Sequence, residues 1–283
     1  MPPATFDRIA PWYDQTRTLD PDEASKPIHA LARRFPSRRF PRLLEVGVGT
    51  GRFASMMVRE GYRVVGVDLS RGMLSQLRER LRSKPWLAID PIRGDALHLP
   101  FPDGSFDGVY WVHVLHLVPG WRAALDECLR VVRPGGFLLS GKTEGGPDLR
   151  RISDRYDRLA FPRGRGPGHP GVRRPETIVR FLRQRGARAL SPPLRRVWTE
   201  PVTVREALHY LNLRVYSRMR AVPLRTHRSV MRSLREWALS QYGSMDTAES
   251  VPAGVRLQIF EVPTAKRGRR ARRNGAARAR KNP

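Results

Sequence analysis

Short unbroken apolar runs alternate along this chain with segments in which apolar residues recur every three or four positions. Residues 42–48 form the first run, with Leu43, Leu44, Val46 and Val48. Residues 63–68 form a second, and residues 106–115 a third, interrupted only by Gly108 and His113. Residues 137–140 are a short fourth, and 87–92 a weaker one. Such runs need cover on both faces, the condition of a strand inside a parallel sheet. The intervening segments carry helical spacing. Residues 22–35, 51–61 and 121–132 read as helices, and in 71–83 Met73, Leu74, Leu77 and Leu81 share one face. Ser70 stands where that helix needs an N-cap. Pro134-Gly135-Gly136 marks the stop after 121–132. Strand and helix therefore alternate from 42 to 140, which predicts an α/β fold with a doubly wound, mostly parallel sheet.

Beyond residue 140 the pattern loosens. Residues 161–174, rich in Gly, Pro and Arg, predict a loop. A helix is expected over 175–185, with Pro175 in its first turn and Gly186 at its end. A strand is expected over 195–204, helical spacing follows from 205 to 242 with Pro223 dividing it, and 254–262 is a last strand. These bring the expected sheet to seven strands. The organisation predicted is an N-terminal helical cap over 1–40, one α/β domain over 41–263 with a helical insertion at about 203–243, and a tail over 264–283. Residues 266–283 hold nine basic residues and no acidic one, so the tail is expected to be disordered.

The formal net charge is +27, and without those nine tail charges it is still +18. Such a field attracts nucleic acid, anionic lipid or acidic small molecules without choosing among them. Cys128 is the single cysteine, so neither an internal disulfide nor a thiolate metal cluster can form within the chain. No His, Cys or Asp cluster has ligand spacing, and no metal site is expected. Residues 1–14 lack the apolar run of a signal peptide, and no stretch approaches the ~18 apolar residues of a membrane span. A soluble, cytoplasmic protein is expected.

The sharpest chemical feature is Glu45-Val46-Gly47-Val48-Gly49-Thr50-Gly51. Glycines here let the chain turn tightly after a strand and let a ligand approach the backbone. A dinucleotide fingerprint would need glycine at position 52, where Arg52 stands. An acidic residue, three alternating glycines and the preceding strand resemble the first motif of class I S-adenosylmethionine-dependent methyltransferases. That resemblance implies a Rossmann-like seven-stranded sheet and S-adenosylmethionine as cofactor, its amino-acid half cradled by Glu45, Gly47, Gly49 and Gly51. Asp68 ends the second strand, 17 residues after Gly51, where a carboxylate can accept both ribose hydroxyls. By the same resemblance Leu69 and Met73 pack on the adenine, Asp95 reads its amino group and Ala96 supplies a backbone donor. The junction around Pro134 resembles the family's helix-to-strand connection.

The opening Phe6-Asp7-Arg8-Ile9-Ala10-Pro11-Trp12-Tyr13-Asp14 resembles that of methyltransferases of the ubiquinone and menaquinone biosynthesis type and their relatives, a segment that folds over the cofactor. It implies Tyr13 near the sulfonium, within reach of a cation–π contact, although Trp12 and Tyr13 also suit plain anchoring of the terminus. His113 and His116 fall at the end of the fourth strand, where open α/β sheets bind ligands. His113 is the candidate proton acceptor, and a hydrogen-bonded wall residue is its plainer role. Methyl transfer to a small-molecule acceptor is the leading expectation, with the insertion as a substrate lid. An RNA methyltransferase using the basic surface and tail is the alternative, and a cofactor-binding protein without turnover a third reading. The tail has no aromatic for base stacking, which weighs against RNA.

Overall fold

The computed structural model describes residues 6–16, 19–145, 149–162, 164, 168–214, 219 and 221–264. The basic tail expected to be disordered lies outside them. Phe6 to Thr16 carries two 3-10 turns, Ala10–Trp12 and Asp14–Thr16. Helix α1 (Pro21–Arg34) follows, its first amides bonded to the Asp20 carboxylate at 2.8 and 3.0 Å. The alternation then runs β1 (Arg42–Val46), α2 (Arg52–Arg59), β2 (Arg63–Asp68), α3 (Arg71–Ser83), β3 (Ile89–Arg93), β4 (Phe106–Val112), α4 (Trp121–Val131) and β5 (Val132–Gly145). Ser70 caps α3 as expected, accepting the Met73 amide at 3.1 Å. Helices α5 (Arg150–Ala160) and α6 (Pro175–Gln184) precede β6 (Arg188–Ala189) and β7 (Leu194–Thr203). Helices α7 (Val204–Asn212) and α8 (Leu224–Tyr242) come before β8 (Ala248–Glu261).

The strands form one sheet in the order β3-β2-β1-β4-β5-β8-β6, with β7 also paired to β8. The first five are parallel, and β8 runs antiparallel to β5, β6 and β7. The seven strands read from the sequence are all present; the eighth is β6, a two-residue strand beside the far end of β8. Strand order reverses between β1 and β4, the switch point beside which such sheets bind ligands.

Alternating side chains cover both faces. Leu43, Val64, Tyr110 and Phe137 pack with α1, α2 and α3, whereas Leu44, Val46, Val67 and Trp111 pack with α4 and α6. A third cluster joins α5, α7 and α8 over Val202 and Val251. Helices α7 and α8 therefore share a small core with α5.

Several bounds differ from expectation for identifiable reasons. β4 stops at Val112 because His113 adopts a φ of +54°, outside the strand region. Helix α4 ends at Val131, before Pro134-Gly135-Gly136 as expected, but β5 begins at Val132 rather than 137 and passes through those three residues. The ladder to β4 shifts register between Phe106 and Gly108, and a Cβ on Gly136 would lie 2.5 Å from the Asp107 carbonyl oxygen. Glycine thus permits an irregularity inside the strand. β8 starts six residues earlier than expected, because β7 pairs with it from Leu194↔Leu257 to Thr203↔Ala248.

Candidate active site

The glycine turn joins β1 to α2 at the switch point. Gly47, Gly49 and Gly51 have φ of +74°, +55° and +78°, a region that side chains with a Cβ occupy only at a cost. Two of the three are also hemmed in. A Cβ on Gly47 would lie 2.2 Å from a Val114 methyl, and one on Gly51 2.5 Å from a Leu77 methyl. Gly49 differs: a Cβ there would meet nothing within 4 Å. The turn is closed behind by packing and open in front of its middle glycine.

Glu45 lies behind that turn. It is 2 % exposed, accepts the Tyr110 hydroxyl at 2.9 Å and receives the Ala54 amide in the first turn of α2. Burial lifts its carboxyl from the usual 4.5 to about 8, and the nearby Asp68 charge adds to the rise. The sequence grouped Glu45 with the cofactor-binding residues. In this structure its contacts, the Tyr110 hydroxyl and the Ala54 amide, lie inside the fold and hold the turn from behind.

Asp68, at the end of β2, meets the turn directly. Its Oδ2 accepts the Gly49 amide and its Oδ1 the Ser70 amide, each at 2.8 Å. Burial raises its pKa above the usual 3.8, and the amide bonds from Ser70, Gly49 and Leu69 oppose the rise. Two carboxylate oxygens offer about four acceptor sites, so each retains capacity for a ligand hydroxyl. Leu69 is half-buried beside it, whereas Met73 is buried at 3 %. The Gly94 amide donates to the Asp68 carbonyl at 3.1 Å, which brings the half-buried Asp95 and Ala96 to the same sheet edge. Asp95 Oδ1 accepts the Leu97 amide at 3.0 Å. Arg130 of α4 fixes the loop beyond, donating to the Leu99 and Phe101 carbonyls at 3.0 and 2.7 Å and to Asp103 at 2.9 Å.

The N-terminal segment folds onto this edge. Asp7 Oδ1 accepts the Ser70 hydroxyl at 2.6 Å and the Gly72 amide at 2.8 Å, bonds that hold its pKa below the usual 3.8. A Cβ on Gly72 would come within 2.9 Å of the Asp7 Cα, so only glycine admits the segment there. Asp14 accepts the buried Thr50 hydroxyl at 2.5 Å and pairs with Arg80. Tyr13 packs edge-on against Phe6, ring centroids 6.2 Å apart.

His113 sits beyond β4. Its Nε2 accepts the Thr143 backbone amide at 2.9 Å, with the Thr143 hydroxyl at 2.5 Å. That nitrogen is therefore engaged with β5. Beside it opens a cavity of about 390 Å³, floored by β4, β5 and β8 and walled by α6 and the segment before it. Gly171 and Val172 anchor that segment, donating to the His116 and Leu115 carbonyls at 2.9 and 3.1 Å. Val114 lines the cavity and also packs against Gly47, so one side chain separates cavity from glycine turn.

The structure thus brings Gly49, Asp68, Leu69, Asp95 and Ala96 to one edge, sets Asp7 and Asp14 over it, and places His113 across Val114. The sequence did not single out Asp7, Asp14, Tyr110 or Thr143. The first two lay within the quoted N-terminal segment, but their partners are 63 and 36 residues away.

Residues 44–140 match the family model described as methyltransferase domain. The demethylmenaquinone methyltransferase of Clavibacter sepedonicus is 34% identical over 164 residues, covering 56% of this chain and 65% of that protein. The demethylmenaquinone methyltransferase of Listeria welshimeri is 31% identical over 168 residues, 56% of this chain and 69% of that protein. The match thus spans about two thirds of these relatives. The YcgJ protein of Bacillus subtilis shares the fold, with a TM-score of 0.54 at 17% identity over 84% of this chain and 98% of that one.

Proposed function

Because this chain belongs to the class I S-adenosylmethionine-dependent methyltransferase family, we propose that it binds that cofactor along the edge formed by β1, β2 and β3 and methylates a small-molecule acceptor held in the neighbouring cavity. The observation that carries this reading is the Asp68–Gly49 hydrogen bond, which joins the acidic residue and the glycine turn beside open space. The residues present fit the cofactor: the space in front of Gly49 is a cradle that any side chain there would fill, and Asp68 keeps acceptor capacity for two hydroxyls. Asp68 would hold the ribose, Leu69 the adenine face, Asp95 the adenine amino group with an Ala96 donor beside it, and Gly47, Gly49 and Gly51 the amino-acid end. When bound, S-adenosylmethionine supplies an electrophilic methyl group.

The chain's own work is alignment. A methyl displacement gains most from holding nucleophile and methyl in line, and general acid–base help is secondary. Val114 and the backbone of Gly47 form the shared wall along which acceptor and cofactor meet. The segment bearing Tyr13 closes over the edge through Asp7 and Asp14 and excludes water, with Tyr13 the aromatic toward the sulfonium. His113, with Nε2 committed to the Thr143 amide, orients the acceptor from the wall. The relatives' name supports a small molecule over RNA as acceptor. No helix among the described residues is long and apolar enough to cross a membrane.

Calorimetric titration of S-adenosylhomocysteine tests the assignment. Asp68→Ala and Asp68→Asn are expected to weaken binding at least about tenfold, since each removes charge-assisted bonds. Unaltered affinity in both would refute it.

A further inference from the structure

The cavity floor changes character row by row. Across β4, β5 and β8, Val109, Leu138 and Phe260 lie side by side, with Phe260 reaching the cavity, and one pleat further Trp111, Ser140 and Gln258 all line it. The next row toward the carboxyl ends of β4 and β5 sets Lys142 directly opposite Arg256, with His113 beside Lys142 in sequence step. Apolar floor thus gives way to polar groups and then to cations.

Two features of this floor favour an incoming acceptor oxygen. Like charges facing each other across a ladder repel, because their Cβ atoms are only about 5 Å apart. Neither Lys142 nor Arg256 has a carboxylate partner among the described residues. The neighbouring Glu144 is bonded to Arg195 at 2.7 Å, and Arg173 and Arg174 add positive charge at the opposite wall against Glu176 alone. The second feature is the Trp111 indole N–H. Trp111 is 2 % exposed and lines the cavity, yet its Nε1 has no hydrogen-bond acceptor. A buried donor left unsatisfied is destabilising, a penalty that an arriving acceptor oxygen would relieve.

We propose that the acceptor is an apolar ring compound bearing a carboxylate, with the anion held between Lys142 and Arg256 and the ring over Trp111 and Phe260. This rests on the reading of the cavity as the acceptor site and adds the charge of what enters it. The body's positive excess, left over after the tail is set aside, then has a local use: drawing an anion to this mouth.

The test uses the full chain titrated by calorimetry with 2-naphthoate and with 2-naphthamide, which share a shape and differ in charge. The wild-type chain is expected to bind the carboxylate at least about tenfold more tightly than the amide, the size of one charge-assisted contact. In the Lys142→Gln/Arg256→Gln double variant the carboxylate should fall to the level of the amide. Trp111→Phe, which removes the N–H and keeps most of the ring surface, should weaken the carboxylate while leaving the charge preference. Equal binding of the two probes, saturable binding of neither, or a preference that survives in the double variant would overturn the proposal. S-adenosylhomocysteine titrated in parallel separates the two readings. Its failure to bind the wild-type chain counts against the cofactor site alone, and its unchanged affinity in the double variant shows that the fold is intact.

Discussion

Glu45 and Asp68 flank one glycine turn, and the Asp68 charge adds to the burial that raises the proton affinity of Glu45. Near neutral pH the fully buried Glu45, lifted to about 8, holds its proton. The consequence for stability has a definite sign. The folded state binds a proton at Glu45 that the unfolded chain releases near 4.5, so stability falls as pH rises from about 4.5 to about 8. Glu45→Gln keeps the size of the side chain and cannot ionise. Thermal melts at about pH 5 and about pH 8 should show a smaller fall in Tm for the variant, by several degrees, since about 1 kcal/mol moves Tm by roughly 2–4 °C in a chain of this size. A parallel fall in both proteins would mean that Glu45 is ionised in the fold. Cofactor binding has the opposite slope: Asp68 must be charged to accept hydroxyls, so affinity should drop on acidification through its raised pKa.

At the scale of elements, the N-terminal segment is tied down at two points with little apolar burial between them. Ala10 is buried, whereas Trp12 is 48 % exposed. Its position therefore depends on the Asp7 and Asp14 bonds. Asp14→Ala removes the acceptor for Thr50 and the partner of Arg80. Amide exchange over residues 6–16 should then accelerate by about tenfold or more, with S-adenosylhomocysteine affinity reduced and exchange in β1 and β4 unchanged. Unchanged exchange in the segment would show that Asp14 does not hold it. This dependence was beyond the reach of the sequence, because a carboxylate bond to a hydroxyl 36 residues away leaves no periodic trace. The central strands did leave one: Leu43, Leu44, Val64, Val65 and Val109 are buried on opposite faces and read as unbroken runs. Helix α5 did not, since only Ile152, Ser153 and Tyr156 of its residues are buried amid arginines and aspartates. The cavity was equally hidden, because its floor is assembled from strands whose pairing, Ser140↔Gln258 and Lys142↔Arg256, is set by tertiary register.

For the molecule as a whole, the fold sets where chemistry can happen and the site residues decide which. The parallel half of the sheet carries the glycine turn and Asp68. The antiparallel half, with β8, supplies one side of the cavity, and Val114 lies between them. The α5, α7 and α8 cluster has its own core and a buried Tyr156–His227 hydrogen bond of 2.8 Å, with burial pulling the His227 pKa down. Tyr156→Phe should cost about 1–3 kcal/mol there, read as earlier local exchange in α8, without loss of cofactor affinity. The central claim is that the cofactor lies against Gly49 and Asp68. Backbone amide NMR during titration with S-adenosylhomocysteine addresses it most directly. Saturable shifts concentrated at Gly47, Gly49, Leu69, Ser70 and Ala96 are predicted; saturable shifts confined to other parts of the sheet, or none at these amides, would contradict it.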